Sequence, residues 1–214
     1  MQFYVIPWNC AVVPHTAIEW TGTDYELKLL DHDSVKSEEY LRINPQGAVP
    51  AIVDGDTIIT QNIATQVYID AAYPDANIFG SDTSPSGKGE LMHWLGFLNA
   101  DLHKAFAPLF GPDGFVEGDA AQESLKQKTK EKIAHLLRLP NEQLGKTDYL
   151  TGSKTTADIY LYITLTWAKK FEIDLSDYKN LDTFVKRIEE DKGLTAVIEQ
   201  QGLEKIKTLE IWYY

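Results

Sequence analysis

The sequence predicts an N-terminal α/β domain followed by an all-helical domain. Up to residue 73, short apolar runs alternate with segments of helical periodicity, whereas beyond residue 87 each segment has the 3.6-residue spacing of a helix. Residues 74–87 are rich in Pro, Gly, Ser and Asp, which is typical of a linker. We therefore place the two domains at residues 1–80 and 87–214.

Within the first domain the predicted order is βαβ, helix, ββ, helix. The predicted strands are residues 3–6, 25–30, 51–53 and 57–59, and the predicted helices are residues 11–21, 37–43 and 62–73. The turn Asp54-Gly55-Asp56 favours a hairpin between the last two strands. In the βαβ unit at the start of the chain, the crossover through a helix makes the first two strands parallel.

The second domain is predicted to contain helices at residues 88–110, 120–139, 156–170, 178–191 and 193–202. Thr155 and Asp158 form the Ser/Thr-x-x-acid pattern of a capping box at the start of one of these helices. That helix is apolar nearly all round, so it is expected to be buried.

Composition excludes several classes of function. The 214 residues include 32 Asp and Glu against 20 Lys and Arg, a formal net charge of −12, which argues against nucleic acid or an anionic membrane as a partner. The single cysteine, Cys10, excludes an intramolecular disulfide and a multi-thiolate zinc site. No apolar run reaches membrane-spanning length and no signal peptide is evident, so a cytoplasmic protein without a metal cofactor is expected.

Cys10 lies between the first strand and the first helix. A thiol at a helix N-terminus meets the positive end of the helix dipole, which favours the thiolate. The alternative is a small buried apolar residue, since free cysteine is often buried. His103, within a predicted helix, is either a group that acts on a thiol or a structural histidine.

Two further sites have a functional and a structural interpretation. A cis bond before Pro50 would present the backbone of Val49 to an extended peptide ligand, whereas a trans proline at a strand start is the common alternative. Gln61 and Asn62 open a helix whose N-terminus suits a carboxylate, and plain helix capping is equally compatible.

Taken together these segments resemble the cytosolic glutathione transferases. The resemblance is carried by residues 44–51 (NPQGAVPA), residues 60–64 (TQNIA) and the capping box that begins at Thr155. Cys10 and residues 102–110 (LHKAFAPLF) are similar to the bacterial beta class in particular.

The resemblance implies a thioredoxin-like first domain that binds glutathione as co-substrate. By this resemblance the backbone of Val49, before a cis Pro50, pairs with the cysteinyl part of glutathione. Gln61 and Asn62 hold the γ-glutamyl end, and Lys36 contacts the glycyl end. The family often has Glu followed by Ser or Gly where this chain has Gln61 and Asn62.

The resemblance also assigns the reactive groups. Cys10 and His103 would both face the glutathione sulfur, and Trp167 would line the pocket for the electrophile. Family members are usually homodimers, and Asn99 is the candidate for a glutathione contact supplied by the partner subunit, because Gly96 stands where a polar residue is common.

Three functions follow from this resemblance. The first is a detoxification transferase that activates the glutathione thiol for attack on hydrophobic electrophiles. The second is a Cys10-dependent glutathione thiol-transferase or disulfide reductase, and the third is a non-catalytic binding or regulatory protein of the same fold. The tail, residues 206–214, extends past the usual end of the family and is expected to cover the substrate pocket or to pack on the surface.

Overall fold

The computed structural model describes residues 1–209. Its strands are β1 (Gln2–Val5), β2 (Glu26–Leu29), β3 (Ala51–Asp54) and β4 (Thr57–Thr60). Within the described residues they form one sheet in the order β2-β1-β3-β4. Strand β1 is parallel to β2 and antiparallel to β3, and β3 is antiparallel to β4. The predicted parallel crossover and hairpin are both confirmed.

Three helices accompany this sheet: α1 (Val12–Thr21), α2 (Glu38–Ile43) and α3 (Asn62–Ala72). The core of this layer consists of fully buried apolar side chains from the sheet, α1 and α3, among them Phe3, Val5, Ile18, Ile52 and Ile69. The alternation of β1 places Phe3 and Val5 on the same face of the sheet. The predicted thioredoxin-like α/β architecture is confirmed.

The last helix of the described chain, α10 (Lys192–Gln200), joins the first compact unit, which contains residues 1–81 and 189–205. Trp20 on α1 donates its indole N–H to Asp191, the N-cap of α10, at 2.9 Å. A Cβ at Gly193 would lie 2.6 Å from the Trp20 ring, so the contact requires glycine. Helical periodicity indicated this helix but carried no information about its packing partner.

The second compact unit contains residues 82–188 and the segment that begins at residue 206. Its helices are α4 (Pro85–Gly96), α5 (His103–Ala105), α6 (Ala107–Phe110), α7 (Asp119–Leu144), α8 (Thr156–Lys170) and α9 (Lys179–Ile188). A wider π-helical segment, Phe97–Leu102, separates α4 from α5. The expectation of one helix over residues 88–110 was therefore wrong, whereas α8 has the predicted bounds.

Helix α7 continues through the buried Pro140, where the sequence predicted its end.

The predicted capping box of α8 is confirmed. The Thr155 hydroxyl accepts from the Ala157 N–H at 3.3 Å, and the Asp158 carboxylate accepts from the N–H groups of Thr155 at 2.8 Å and Leu150 at 2.9 Å. Burial raises the pKa of Asp158 to about 6, although these hydrogen bonds oppose the shift. The helix itself is buried on nearly every face, as its apolar composition predicted.

The predicted tail is described only in part. Lys169 donates to the carbonyl oxygens of Ile206 at 2.9 Å and Thr208 at 2.6 Å, which holds the start of the tail on the second unit. Residues 210–214 lie outside the described residues. Within residues 1–209, every helix is too short or too polar to traverse a bilayer.

Candidate functional site

Cys10 occupies the turn between β1 and α1. The side chain of Asn9 accepts the N–H of Ala11 at 2.7 Å, and the Cys10 carbonyl accepts the N–H of Val13 at 3.1 Å. Helix α1 begins at Val12, so these N–H groups at its start are already bonded within the turn. The turn is consequently closed by its own backbone and by Asn9.

Asn62, the first residue of α3, anchors this turn from the neighbouring helix. Its side-chain Nδ2 donates to the Cys10 carbonyl at 2.6 Å, and its Oδ1 accepts from Nε2 of Gln66 at 2.6 Å. The residue is 5% exposed. Both ends of the Asn62 amide are therefore occupied inside the protein, and its backbone N–H is the part that faces the open end of the helix.

The Cys10 thiol is not activated in this environment. Burial raises its pKa to about 11, and the hydrogen bond from the Asn62 side chain offsets only part of that rise. The expectation that the start of α1 favours the thiolate was wrong, because removal of the sulfur from water outweighs the helix dipole here.

The C-terminal part of the first unit also reaches the Cys10 turn. Gln201 accepts the backbone N–H of Trp8 at 3.3 Å, and its Nε2 lies 2.8 Å from Nδ1 of His15. Trp8 has a left-handed backbone, with φ of 63°, which non-glycine residues adopt only when neighbouring groups hold them there. Sequence reasoning missed Gln201, since no local pattern joins residues so far apart in the chain.

His15 is a buried structural group. It is fully buried, and its Nε2 lies 2.6 Å from the Tyr25 hydroxyl. Burial lowers its pKa to about 4, and the charge of Glu19 opposes that shift. His15 is therefore neutral near pH 7.

The N-terminus of α3 has no side-chain cap. Gln61 is exposed and has a left-handed backbone with φ of 78°, and its side chain donates to Oε1 of Gln46 at 2.8 Å instead of capping the helix. The N–H groups of the first turn have no intrahelical acceptor, and the positive end of the dipole lies there. This arrangement suits an anion such as a carboxylate.

Two more predicted residues lie on loops of the first unit. Lys36 is exposed at the end of the short 3₁₀ turn Ser34–Lys36. The peptide bond between Val49 and Pro50 is cis, as the resemblance implied. The loop before it is held by the carbonyl of Ala48, which accepts from the Tyr40 hydroxyl at 2.7 Å and from Nδ2 of Asn44 at 2.6 Å.

In the second unit, the structure joins His103 and Asn99 through one buried tyrosine, Tyr160, and packs Trp167 against the His103 ring. His103 Nδ1 lies 2.9 Å from the Tyr160 hydroxyl, and that hydroxyl donates to Oδ1 of Asn99 at 2.9 Å. Sequence reasoning missed Tyr160. The four-residue spacing of Asn99 and His103 was the available signal, because it places both side chains on one helix face.

Aromatic packing completes the surroundings of His103. Its ring centroid lies 4.9 Å from that of Trp167, which is 2% exposed and also contacts Phe106 and Phe110 at 5.5 Å. Burial, and secondarily the charge of Lys104, lowers the pKa of His103, so its neutral form is favoured. Trp167 therefore supports one side of the His103 ring.

The described residues, 1–209, contain no group of three or more His, Cys, Asp or Glu side chains placed to hold a metal ion. In the first unit the structure joins Cys10 to Asn62, and in the second it joins His103 to Asn99 and Trp167. These two clusters are the candidate functional groups of the chain.

The described residues form a thioredoxin-like α/β unit and a helical unit, the two-part architecture of the glutathione transferase fold. Residues 2–71 match the model of the glutathione S-transferase N-terminal domain, and residues 97–192 match that of the C-terminal domain. The chain belongs to the glutathione S-transferase family and is a glutathione transferase.

Individual relatives agree with this assignment. Glutathione S-transferase GST-4.5 of Xanthomonas campestris pv. campestris is 35% identical, across 95% of this chain and 100% of the relative. The solved glutathione S-transferase of Xylella fastidiosa is 34% identical with a TM-score of 0.90, across 95% of this chain and 99% of that chain.

Two further solved structures place the chain near the bacterial beta class. A sphingomonad glutathione S-transferase complexed with glutathione is 30% identical, and the beta class enzyme of Sphingomonas chungbukensis is 31% identical. Each has a TM-score of 0.82, and each comparison spans 95% of this chain and 100% of the other. The resemblance seen in the sequence is confirmed.

Proposed function

We propose that this transferase binds glutathione on its first unit and transfers the glutathionyl group to a hydrophobic electrophile. The observation that carries the proposal is the open first turn of α3. Gln61 leaves its N–H groups uncapped and Asn62 turns its amide inward, so these N–H groups remain for a carboxylate. The relative solved with glutathione supports that choice of ligand.

The three parts of glutathione have separate partners in this proposal. The γ-glutamyl carboxylate lies at the backbone N–H groups that open α3, and Gln61 accepts from the adjacent ammonium. The backbone of Val49, before Pro50, pairs with the cysteinyl amide in the manner of an added β-strand. Lys36 contacts the glycyl carboxylate. Residues 1–80 contain 11 acidic and only 3 basic residues, so the attraction for this anionic ligand must come from individual groups such as Lys36.

The chemistry requires a deprotonated glutathione thiol. Each unit by which the thiol pKa falls corresponds to about 1.4 kcal/mol of preferential binding of the thiolate. His103, which is half-buried and whose lowered pKa favours the neutral form, is the proposed proton acceptor, and Cys10 is proposed to lie beside the glutathione sulfur. The raised pKa of Cys10 favours transfer over disulfide reduction, because Cys10 would have to be a thiolate to attack a disulfide.

Further parts of the proposal follow the family. The active form is a cytoplasmic homodimer that removes toxic electrophiles, and Trp167 contributes to the electrophile pocket. The resemblance gives Asn99 a contact to the glutathione of the partner subunit. The bond from Tyr160 to Asn99 offers a different role for that side chain.

Two assays test the proposal. The protein should be retained on immobilised glutathione, elute with free glutathione, and conjugate glutathione to a chlorinated nitroarene. Failure of retention and of conjugation together contradicts the proposal and favours a non-catalytic protein of the same fold.

Replacement of Cys10 by Ala separates the two reactions. The variant should keep most of the conjugation activity, because glutathione supplies its own sulfur. Equal loss of conjugation and of mixed-disulfide reduction would contradict this separation, because both reactions would then depend on Cys10.

A further inference from the structure

The hydroxyl of Tyr160 connects the side chains of Asn99 and His103 in a single hydrogen-bonded series. Tyr160 is fully buried on α8, and its hydroxyl donates to Oδ1 of Asn99 at 2.9 Å. An amide oxygen is an acceptor only, so the proton in this bond is that of the tyrosine. The same hydroxyl oxygen lies 2.9 Å from Nδ1 of His103.

This direction determines which ring nitrogen of His103 carries its proton. Since the tyrosine proton points to Asn99, the bond to His103 forms only if Nδ1 carries a hydrogen and donates it. A neutral imidazole with a proton on Nδ1 has a lone pair on Nε2. The tautomer follows from the network, since hydrogens are assigned through their partners.

We infer that Asn99 and Tyr160 are positioning residues that hold neutral His103 as its Nδ1–H tautomer, leaving Nε2 as the proton acceptor for a thiol. The tautomer is independent of the proposed function, whereas the role of Nε2 as acceptor for the glutathione thiol rests on it. Asn99 sets the direction of both hydrogen bonds, because its oxygen accepts the Tyr160 proton and so leaves the Tyr160 oxygen as the acceptor for His103.

The proton step balances with these groups alone. The S–H bond of glutathione breaks, its electron pair stays on sulfur, and the proton forms an N–H bond at Nε2 of His103. The resulting imidazolium keeps its Nδ1–H bond to Tyr160. The thiolate then displaces chloride from the nitroarene, and His103 returns the proton to solvent, so that the products are the thioether, chloride and one proton.

The packing around the ring supports a fixed orientation. The ring centroids of Trp167 and His103 lie 4.9 Å apart in a tilted arrangement, and those of Tyr160 and His103 lie 6.0 Å apart in an edge-on arrangement. A ring held on two sides cannot readily exchange its nitrogens by rotation about χ2. Hydrogen bonding and packing therefore specify the same orientation of the His103 ring.

Nitrogen NMR of the imidazole tests the tautomer without glutathione or activity. Two-bond ¹H–¹⁵N correlation spectra distinguish a protonated from an unprotonated ring nitrogen, and the His103 signals are assigned as those missing from His103→Gln. At a pH where His103 is neutral, the wild-type protein should show a protonated Nδ1. A protonated Nε2 in the wild-type protein overturns the inference.

Two variants of Asn99 test whether its side-chain oxygen sets the tautomer of His103. Asn99→Asp keeps an acceptor oxygen and should retain the Nδ1–H tautomer. Asn99→Leu removes the acceptor, so the Tyr160 hydroxyl should turn to donate to Nδ1 and move the His103 proton to Nε2. An unchanged tautomer in a folded Asn99→Leu protein contradicts the inference. If that variant does not fold, the wild-type spectrum alone decides.

Kinetics separate a positioning role from a glutathione contact. With the proton on Nε2, Asn99→Leu should lower kcat for conjugation by about tenfold or more, within the range of general-base contributions, with KM for glutathione unchanged within about twofold. A raised KM with unchanged kcat would mean that Asn99 binds glutathione instead. Failure of the transferase function removes the kinetic comparison but leaves the NMR result intact.

Discussion

The side-chain amide of Asn62 donates to the carbonyl oxygen of Cys10 at 2.6 Å. This bond ties the first residue of α3 to the turn that carries the single cysteine, and Gln66 holds the same amide from one turn further along the helix. The side-chain amide of Asn62 is therefore bonded within the protein, and its backbone N–H lies in the first turn of α3.

Removal of the Asn62 amide should destabilise the first unit. Asn62→Ala leaves the buried Cys10 carbonyl and Gln66 Nε2 without this partner, which should lower the free energy of unfolding by about 1–3 kcal/mol. The matched control is Gln66→Met. It keeps the bond to Cys10 and removes a buried Oε1 that has no hydrogen-bond partner among the described residues, so its cost should be smaller. Urea unfolding measures both, and the reverse ranking would contradict this account.

Charge reversal at Lys36 should weaken glutathione binding. Two unit charges near a protein surface interact by a few kcal/mol at most, so Lys36→Glu should reduce affinity by roughly tenfold or more. The effect should shrink as salt is added. Lys192→Glu makes the same charge change at an exposed position of the same unit and should alter affinity less than about twofold. Titration calorimetry compares them, and equal effects would show that Lys36 makes no specific contact.

A carboxylate at position 61 should strengthen binding. Gln61→Glu converts a neutral hydrogen bond to the glutathione ammonium into an ion pair. For an exposed pair this adds up to about 1 kcal/mol, or roughly fivefold in affinity. Gln46→Glu, a change of equal charge at the residue that now contacts Gln61, should not increase affinity. An unchanged or lower affinity for Gln61→Glu would place the ammonium elsewhere.

His15 should make stability depend on pH. Its pKa is about 4 in the folded protein and about 6.5 when unfolded, so the unfolded chain binds more protons between these values. Stability is therefore complete above pH 6.5 and falls as the pH drops toward 4, by about 3 kcal/mol over the whole window.

A pair of histidine variants isolates that dependence. His15→Gln keeps a donor and an acceptor but cannot take up a proton, so it should lower stability at pH 7 and flatten the profile between pH 4 and 6.5. His32→Gln changes an exposed histidine and should leave the profile as it is. Thermal unfolding across this range measures all three proteins, and an unchanged slope in His15→Gln would show that other groups produce it.

Local patterns in the sequence were sufficient for much of the fold. The hairpin at Gly55, the bounds of α8 and its capping box at Thr155 and Asp158 each follow from interactions between residues a few positions apart. The break of the predicted 88–110 helix was not visible in this way, because the wider π-helical turn at Phe97–Leu102 is compatible with the same apolar spacing.

For the site, the sequence by itself determined which residue types are present and their place on local elements: Cys10 before α1, Gln61 and Asn62 at the start of α3, and Asn99 four residues before His103. Only the tertiary structure decided what those side chains contact. It turned Asn62 to Cys10, raised the pKa of the Cys10 thiol and set Tyr160 between Asn99 and His103. Hydrogen-bond direction and desolvation depend on neighbours from distant parts of the chain, and short-range patterns carry no record of those neighbours.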